Sequence, residues 1–415
     1  MNNRYFSREQ GWLGRTTPPH VVTLVVLASM SALNMNIFLP SLKGMQEYFN
    51  TEYAVVQLTI SAYLGFTAIL QIIIGPLSDI YGRRKVLLWS LGIFLIATVG
   101  CIFSPTIEIL LFFRMVQAVV ASGMVLSRAI IRDTSAPDEA ASRIGYVTMG
   151  MSVVPMVGPM LGGVLEESFG WQASFVVVLV FGMLATWLIW ADLGETNTQK
   201  SASFAVQFRA YPELLTSRRF WGYSLTAGFA SGVFFAFLGG ASFVAETVLH
   251  LSPSELGLYF IFVPAGYMLG NFLTGRYSRR IGLDKMMTTG CFITTLGIII
   301  GLSFFFVGIV HPLTFFGSFT LVGLGNGMVL PNANAGMVSV RPHLAGSASG
   351  LGGAIMIGGG AALSGLTGTM LTPETGAYSL LFMMLATSVL SIVSSGFVLW
   401  VARSAGPTGE TGFGK

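Results

Sequence analysis

The chain reads as an all-α membrane protein, twelve transmembrane helices in two pseudo-symmetric six-helix bundles, and three observations lead there. Hydrophobic residues make up 53% of its 415 residues and charged residues only 10%, with a mean hydropathy of +0.73. A soluble domain carries about 25% charged residues, so this composition cannot cover a water-facing surface. Twelve segments reach the length of roughly 20 apolar residues that a bilayer-crossing helix needs. The basic residues alternate between loops, as they do where Lys and Arg orient successive spans.

The spans expected in order are 20–40, 54–76, 86–104, 107–131, 143–166, 172–192, 220–247, 255–275, 286–309, 313–336, 345–371 and 377–402. This parse puts Arg4, Arg8, Arg15, Arg83, Arg84, Lys85, Arg132, Arg143, Lys200, Arg209, Arg218, Arg219, Arg276, Arg279, Arg280, Lys285, Arg341, Arg403 and Lys415 on one side. Only Lys43 falls on the other. By the positive-inside rule the rich side is cytoplasmic, with both termini there. Residues 1–19 carry three arginines with no small-residue cleavage site after the first apolar run, so that run is expected to stay as an uncleaved span. The net charge of +4 is spread over loops rather than gathered in a nucleic-acid-binding stripe. Cys101 and Cys291 fall inside apolar runs and predict no disulfide.

The longest connection, 193–219, is polar at its start (Glu195 to Lys200) and reads as a cytoplasmic linker between bundles 1–192 and 220–415. An internal repeat supports the division. At an offset of 200 residues, Gly75, Ser78, Gly82 and Lys85 recur as Gly275, Ser278, Gly282 and Lys285. At the same offset Gly150, Met156 and Gly158 recur as Gly350, Met356 and Gly358, while Arg279 stands where the first copy has Asp79. Two such halves imply a binding site between them near the midplane.

Between the second and third spans runs Gly75-Pro-Leu-Ser-Asp-Ile-Tyr-Gly-Arg-Arg-Lys85. Gly75-Pro76 is expected to end the helix as it meets water. Asp79, Arg83, Arg84 and Lys85 cannot sit in hydrocarbon. Any short basic loop would orient the helices, but Gly75, Gly82 and an acid exceed what orientation requires. In the fifth span Pro155 and Pro159 remove helical hydrogen bonds, and Gly158 and Gly162 share a face that admits a neighbouring backbone. Gly228/Gly232 and Gly266/Gly270 offer similar small-residue packing. In the fourth span Arg114 and Gln117 share a stripe with Arg128, which can snorkel to the cytoplasmic end. Arg114 lies roughly 10 Å inside the outer end. It is expected to face a polar cavity or a partner, the alternative being hydrogen bonds to helix carbonyls. Asn34 and Asn36 in the first span and Gln57, Ser61, Tyr63, Thr67 and Gln71 in the second make a polar seam that suits a cavity or helix packing. Aromatics of the seventh and eighth spans, with Met149, Met151, Met156 and Met160, would suit an adaptable apolar pocket.

No GxxxxGK[ST] is present, so ATP is not the expected energy source, and His20, His250, His311 and His343 form no metal or catalytic cluster. No cofactor is expected, and the chain does not read as an enzyme.

The 75–85 stretch closely resembles motif A of the major facilitator superfamily; Arg114-Met-Val-Gln117 resembles motif B, with Ala118 for its glycine. Gly150 to Gly163 resembles motif C, which goes with export. Gln57 to Tyr63, Arg128 to Asp133, Gly170-Trp171, Pro331 to Ala333 and Ala345 to Gly350 extend the likeness to the twelve-span drug:proton antiporters, the Bcr/CflA-like branch above all. The resemblance implies a monomeric multi-pass transporter of the inner membrane that exports small drug-like molecules by alternating access, coupled to protons. It also implies a conformational gate of Gly75, Asp79, Gly82, Arg83 and Asp133, with Asp79 facing Ala345-Gly346 and Arg83 pairing with Asp133. The branch commonly carries an acid four residues before the first-span proline, where this chain has Asn36.

Because no acid lies in mid-span, a cavity lined by Asn34, Asn36, Gln57, Tyr63, Arg114 and Gln117 would favour neutral or anionic substrates over cations. Proton coupling would then run through a peripheral acid such as Glu108 or Asp79. A nutrient or metabolite transporter of the same fold, and a non-transporting receptor, are the rival readings.

Overall fold

Inside hydrocarbon a backbone must satisfy its own hydrogen bonds, and helix is how an apolar segment does so. The computed structural model describes residues 19–135, 137–197, 211–341, 344–372 and 374–404, and they are almost wholly helical. The first half comprises α1 (Val21–Asn36), α2 (Leu42–Phe49), α3 (Tyr53–Tyr81), α4 (Arg83–Ile102), α5 (Ile107–Gln117), α6 (Ala121–Thr134), α7 (Pro137–Phe169) and α8 (Gln172–Asp192). The second comprises α9 (Tyr211–Leu215), α10 (Arg218–Thr247), α11 (Pro253–Tyr259), α12 (Phe262–Ile281), α13 (Leu283–Phe306), α14 (Pro312–Val340), α15 (Ala345–Met370) and α16 (Gly376–Ser404). Eleven candidate membrane spans are found among the described residues. The remaining expected span, 143–166, lies within the 33-residue α7.

The helix does not stop at Gly75-Pro76. It runs on as α3 to Tyr81 with Pro76 inside it. The Ser78 hydroxyl bonds the Gly75 carbonyl at 2.7 Å, a local acceptor contact beside the proline. The break comes at Gly82, whose φ of +100° is a conformation other residues adopt only under strain. Gly282 has φ +93° at the equivalent α12–α13 junction, and each N–H caps the serine carbonyl four residues back. The repeat read at an offset of 200 residues is therefore also a repeat of backbone geometry.

The fourth span is likewise not one uniform helix. A 3-10 turn at Ala118–Val120 separates α5 from α6, and the eighth is split between α11 and α12. In the second half Gly266 and Gly270 let α12 lie against α14, because a Cβ at either would overlap the carbonyl of Thr320 or Leu324. Phe237, Phe260, Phe316 and Phe319 stack edge-to-face beside them, with Phe237 and Phe260 buried. These rings of the expected pocket are part of the second bundle's core.

Of the linker 193–219, residues 198–210 lie outside the described residues. The end of the molecule that carries Asp79 to Lys85 is called here the basic end, and the opposite one the far end.

Candidate functional site between the two bundles

At the basic end, Gly82 lets α4 start beside α3, and Asp79, Arg83 and Asp133, the charged residues expected to form a gate, meet at the resulting corner. Arg83 is buried, at 4% exposure, and pairs with Asp79. Its Nε donates to Asp133 Oδ2 at 3.0 Å, and the Ser78 hydroxyl accepts from its Nη1. A buried guanidinium satisfied by two carboxylates and a hydroxyl is well compensated. All these partners belong to the first bundle, so the cluster can move as one body. The expected partner of Asp79 at Ala345-Gly346 lies outside the residues whose side chains are described. Gly75 is open on its Cβ side.

The sequence reading missed the chain that docks on this corner. Glu195 Oε1 accepts the Arg83 backbone N–H at 2.8 Å, and Asn197 Nδ2 donates to the Asp79 carbonyl at 2.9 Å. Arg84 Nε donates to the Leu193 carbonyl at 2.7 Å. The start of the 193–219 connection is thereby fastened to the corner of residues 79–84. Its only trace in the sequence is an acid and an amide in a polar stretch, which any loop might contain.

Arg114 is 1% exposed. Its Nη1 donates to Gln117 Oε1 at 2.7 Å and Asn34 Oδ1 at 3.2 Å, while Nε and Nη2 reach the Thr59 carbonyl at 3.4 and 3.3 Å. The guanidinium carbon lies 4.4 Å from the Phe38 ring centre, 4.6 Å from Tyr63 and 5.7 Å from Phe175. Gln117 Nε2 passes the chain on to the Thr98 hydroxyl at 2.7 Å. Thus Asn34, Tyr63, Arg114 and Gln117 come together in the first bundle, and no carboxylate pairs with Arg114 among the described residues.

Asn36 and Gln57 go elsewhere. Asn36 Nδ2 turns back onto the Ala32 carbonyl of its own helix at 2.7 Å. Gln57 Nε2 crosses to the Ser364 carbonyl of α15 at 2.8 Å. All six expected cavity residues are at most 4% exposed, so in this conformation they are packed rather than open to a cavity. The exposed cation of the region is Arg128 on α6, beside Ala28, Ser127, Val147 and Met151 and within electrostatic reach of Tyr267 on α12.

The bundles meet in two seams. Along α3 and α15, Gln57, Ser61, Ala68 and Gln71 face Gly368, Gly365, Gly358 and Gly353. At the far end α7 crosses α11. A Cβ at Gly163 would overlap the Pro253 carbonyl, and one at Gly257 the Pro159 carbonyl. The two sides of this glycine-proline segment have different tasks, since Gly158 and Gly162 face Asn36 and Ile37 at the end of α1. Pro155 and Pro159 sit within α7, which stays helical through both. Ser242 Oγ to the Leu39 carbonyl, 2.7 Å, and the Tyr53 hydroxyl to the Gly239 carbonyl, 2.8 Å, close the same end.

Comparison with known proteins agrees with this architecture. Residues 24–365 match the family model described as Major Facilitator Superfamily. An uncharacterized MFS-type transporter of Bacillus subtilis, YdgK, is 32% identical over 88% of this chain and 92% of its own. Multidrug resistance protein D of Escherichia coli is 26% identical over 90% of this chain and 94% of its own. A bicyclomycin resistance protein homolog of Haemophilus influenzae is 26% identical over 91% and 95%. Among solved structures, a bacterial homolog of the human lysosomal transporter Spinster superposes with a TM-score of 0.72 at 18% identity, over 92% of this chain and 96% of that one.

Proposed function

The chain belongs to the Major Facilitator Superfamily, and from that premise we propose that it exports neutral or anionic drug-like molecules from the cytoplasm in exchange for protons. The basic end is the cytoplasmic one, with both termini there, in the inner membrane of the cell. A monomer is the working unit. Bundles 1–192 and 220–415 rock about a point near the midplane, and the linker 193–219 joins them.

The observation that carries the substrate class is the charge in the space between the bundles. Arg128 is exposed there and faces an uncharged phenol, Tyr267. Arg114, fourteen residues earlier on the same span or roughly 20 Å toward the far end, is held by neutral acceptors and rings among the described residues. A lipophilic cation entering this region sheds hydration and meets like charge. A neutral molecule incurs neither cost, and an anion meets the Arg128 guanidinium. The names of the multidrug and bicyclomycin resistance relatives support export of drug-like molecules. So does a further relative named as a chloramphenicol resistance protein, 27% identical over 88% of this chain.

The test is a resistance and efflux panel of matched neutral, anionic and cationic compounds in a pump-deficient host. The wild type should protect against neutral and anionic members, and Arg128→Gln should selectively lose the anionic ones. Best protection against quaternary cations, unchanged by Arg128→Gln, would refute the electrostatic reading.

A further inference from the structure

The far-end seam holds carboxylates that the gate and the Arg114 cluster do not use. Glu166, near the end of α7, reaches over Gly44, where an added Cβ would overlap its Oε1. Glu246 comes from the end of α10 in the other bundle, within electrostatic reach of Glu166, Glu47 and Lys43. Glu166 Oε2 and Glu246 Oε1 are both buried and have no hydrogen-bond partner. Ser41, 0% exposed, lies beside Glu166, and its hydroxyl also lacks a partner of hydrogen-bonding geometry.

Groups facing this pocket are few. The short α2 supplies Lys43 and Glu47, and α7 supplies Glu166. The buried Tyr53 of α3 also lies within reach of Glu246, but its hydroxyl is committed to the Gly239 carbonyl. Among the described residues, three carboxylates therefore share one ammonium. The neighbouring Glu167 is engaged separately, accepting the Ser254 N–H at 3.0 Å.

Buried carboxylate oxygens without donors are costly as anions, and like charges brought together from two bodies push them apart. A proton on one carboxyl removes a charge, and with it the repulsion across the seam. We propose that Glu166 and Glu246 form a proton-binding site spanning the two bundles, and that its occupancy holds the far end shut. The inference rests on the alternating-access reading but not on the identity of any substrate. A proton loaded here from the far side favours the state seen in this structure, and its loss favours opening.

The sign follows from the charges. Lowering the pH fills the site and closes the far end, whereas raising it restores repulsion across the seam and opens that end. The relevant measurement is pulsed electron paramagnetic resonance on purified protein without substrate. Spin labels are attached after Phe103→Cys and Val307→Cys, two exposed far-end positions on opposite bundles, with Cys101→Ser and Cys291→Ser removing the native thiols. On going from acid to alkaline pH, the short-distance population of this parent should fall severalfold. In Glu166→Gln/Glu246→Gln it should stay high throughout, because neutral amides carry no charge to repel. Glu246→Gln alone, a milder change, should flatten most of the dependence if the double variant proves unstable.

A parent whose distances ignore pH, or Gln variants that respond as the parent does, would overturn the site. Failure of drug export in cells with an intact pH response would instead count against the export reading alone.

Discussion

Arg114 shows at the scale of one residue what this membrane interior demands. It is the largest fully buried side chain, and neutral groups alone receive its charge among the described residues. Charge-assisted hydrogen bonds worth about 1.5–3 kcal/mol each, and ring contacts worth up to about 2 kcal/mol when desolvated, offset the loss of hydration. The geometry depends on a planar fork, because Nη1 meets Asn34 and Gln117 while Nε and Nη2 meet Thr59. Lysine keeps the charge but presents one point of it. Arg114→Lys should therefore lower thermal stability by about 2–4 kcal/mol and cut transport about tenfold or more; stability and transport equal to wild type would show that the fork is dispensable. That Arg114 mattered was legible from its depth in a span. That Phe38 and Phe175 would cage it was not, since the turn after α1 and the helix α8 that supply them are far away in sequence.

At the scale of the element, α7 was read from its glycines and prolines as a packing helix. The structure divides that packing into a side facing α1 and a side facing α11 of the other bundle. Spacing alone shows which residues share a face but not what body lies opposite, so the second half of the assignment could not be read. Likewise Gly75-Pro76 reads locally as a stop, yet the end of the helix is decided by the residue with positive φ, Gly82. A substitution on the inter-bundle side should act on closure rather than folding. Gly163→Val places branched carbons against the Pro253 carbonyl, which is backbone and cannot turn away. It should express, purify as a monodisperse protein and bind ligand, yet lose nearly all transport. Gly396→Val, at a position open to its surroundings, should transport as wild type. Equal activity in the two variants would mean that the α7–α11 crossing never closes this tightly in the working cycle.

At the scale of the molecule, the twelve-span layout and the repeat followed from composition, charge alternation and glycine offsets, all of which a chain displays along its length, whereas the gate residues were expected from a family resemblance. The registration of one bundle on the other does not appear there, because it depends on which glycines of α15 lie against which side chains of α3. That registration now permits a test of rocking. A Cβ built on Gly365 lies 3.5 Å from Ser61 Cβ, and one built on Gly358 lies 3.7 Å from Ala68 Cβ. Both separations fall in the range of about 3.5–4.5 Å that a disulfide spans. Ala68 is seven residues further along α3, or roughly 10 Å deeper at 1.5 Å per residue. If the bundles rock about a point near the midplane, separation grows toward the far end, so the Ser61 pair must part and the Ala68 pair moves less. Oxidised Ser61→Cys/Gly365→Cys should therefore lose transport and recover it on reduction, while oxidised Ala68→Cys/Gly358→Cys should keep a substantial part. Full transport by the oxidised Ser61 pair, with cross-linking verified by mass spectrometry, would mean that the far end does not open along α3 and α15, and that the pivot lies at the level of Ser61 rather than near the midplane.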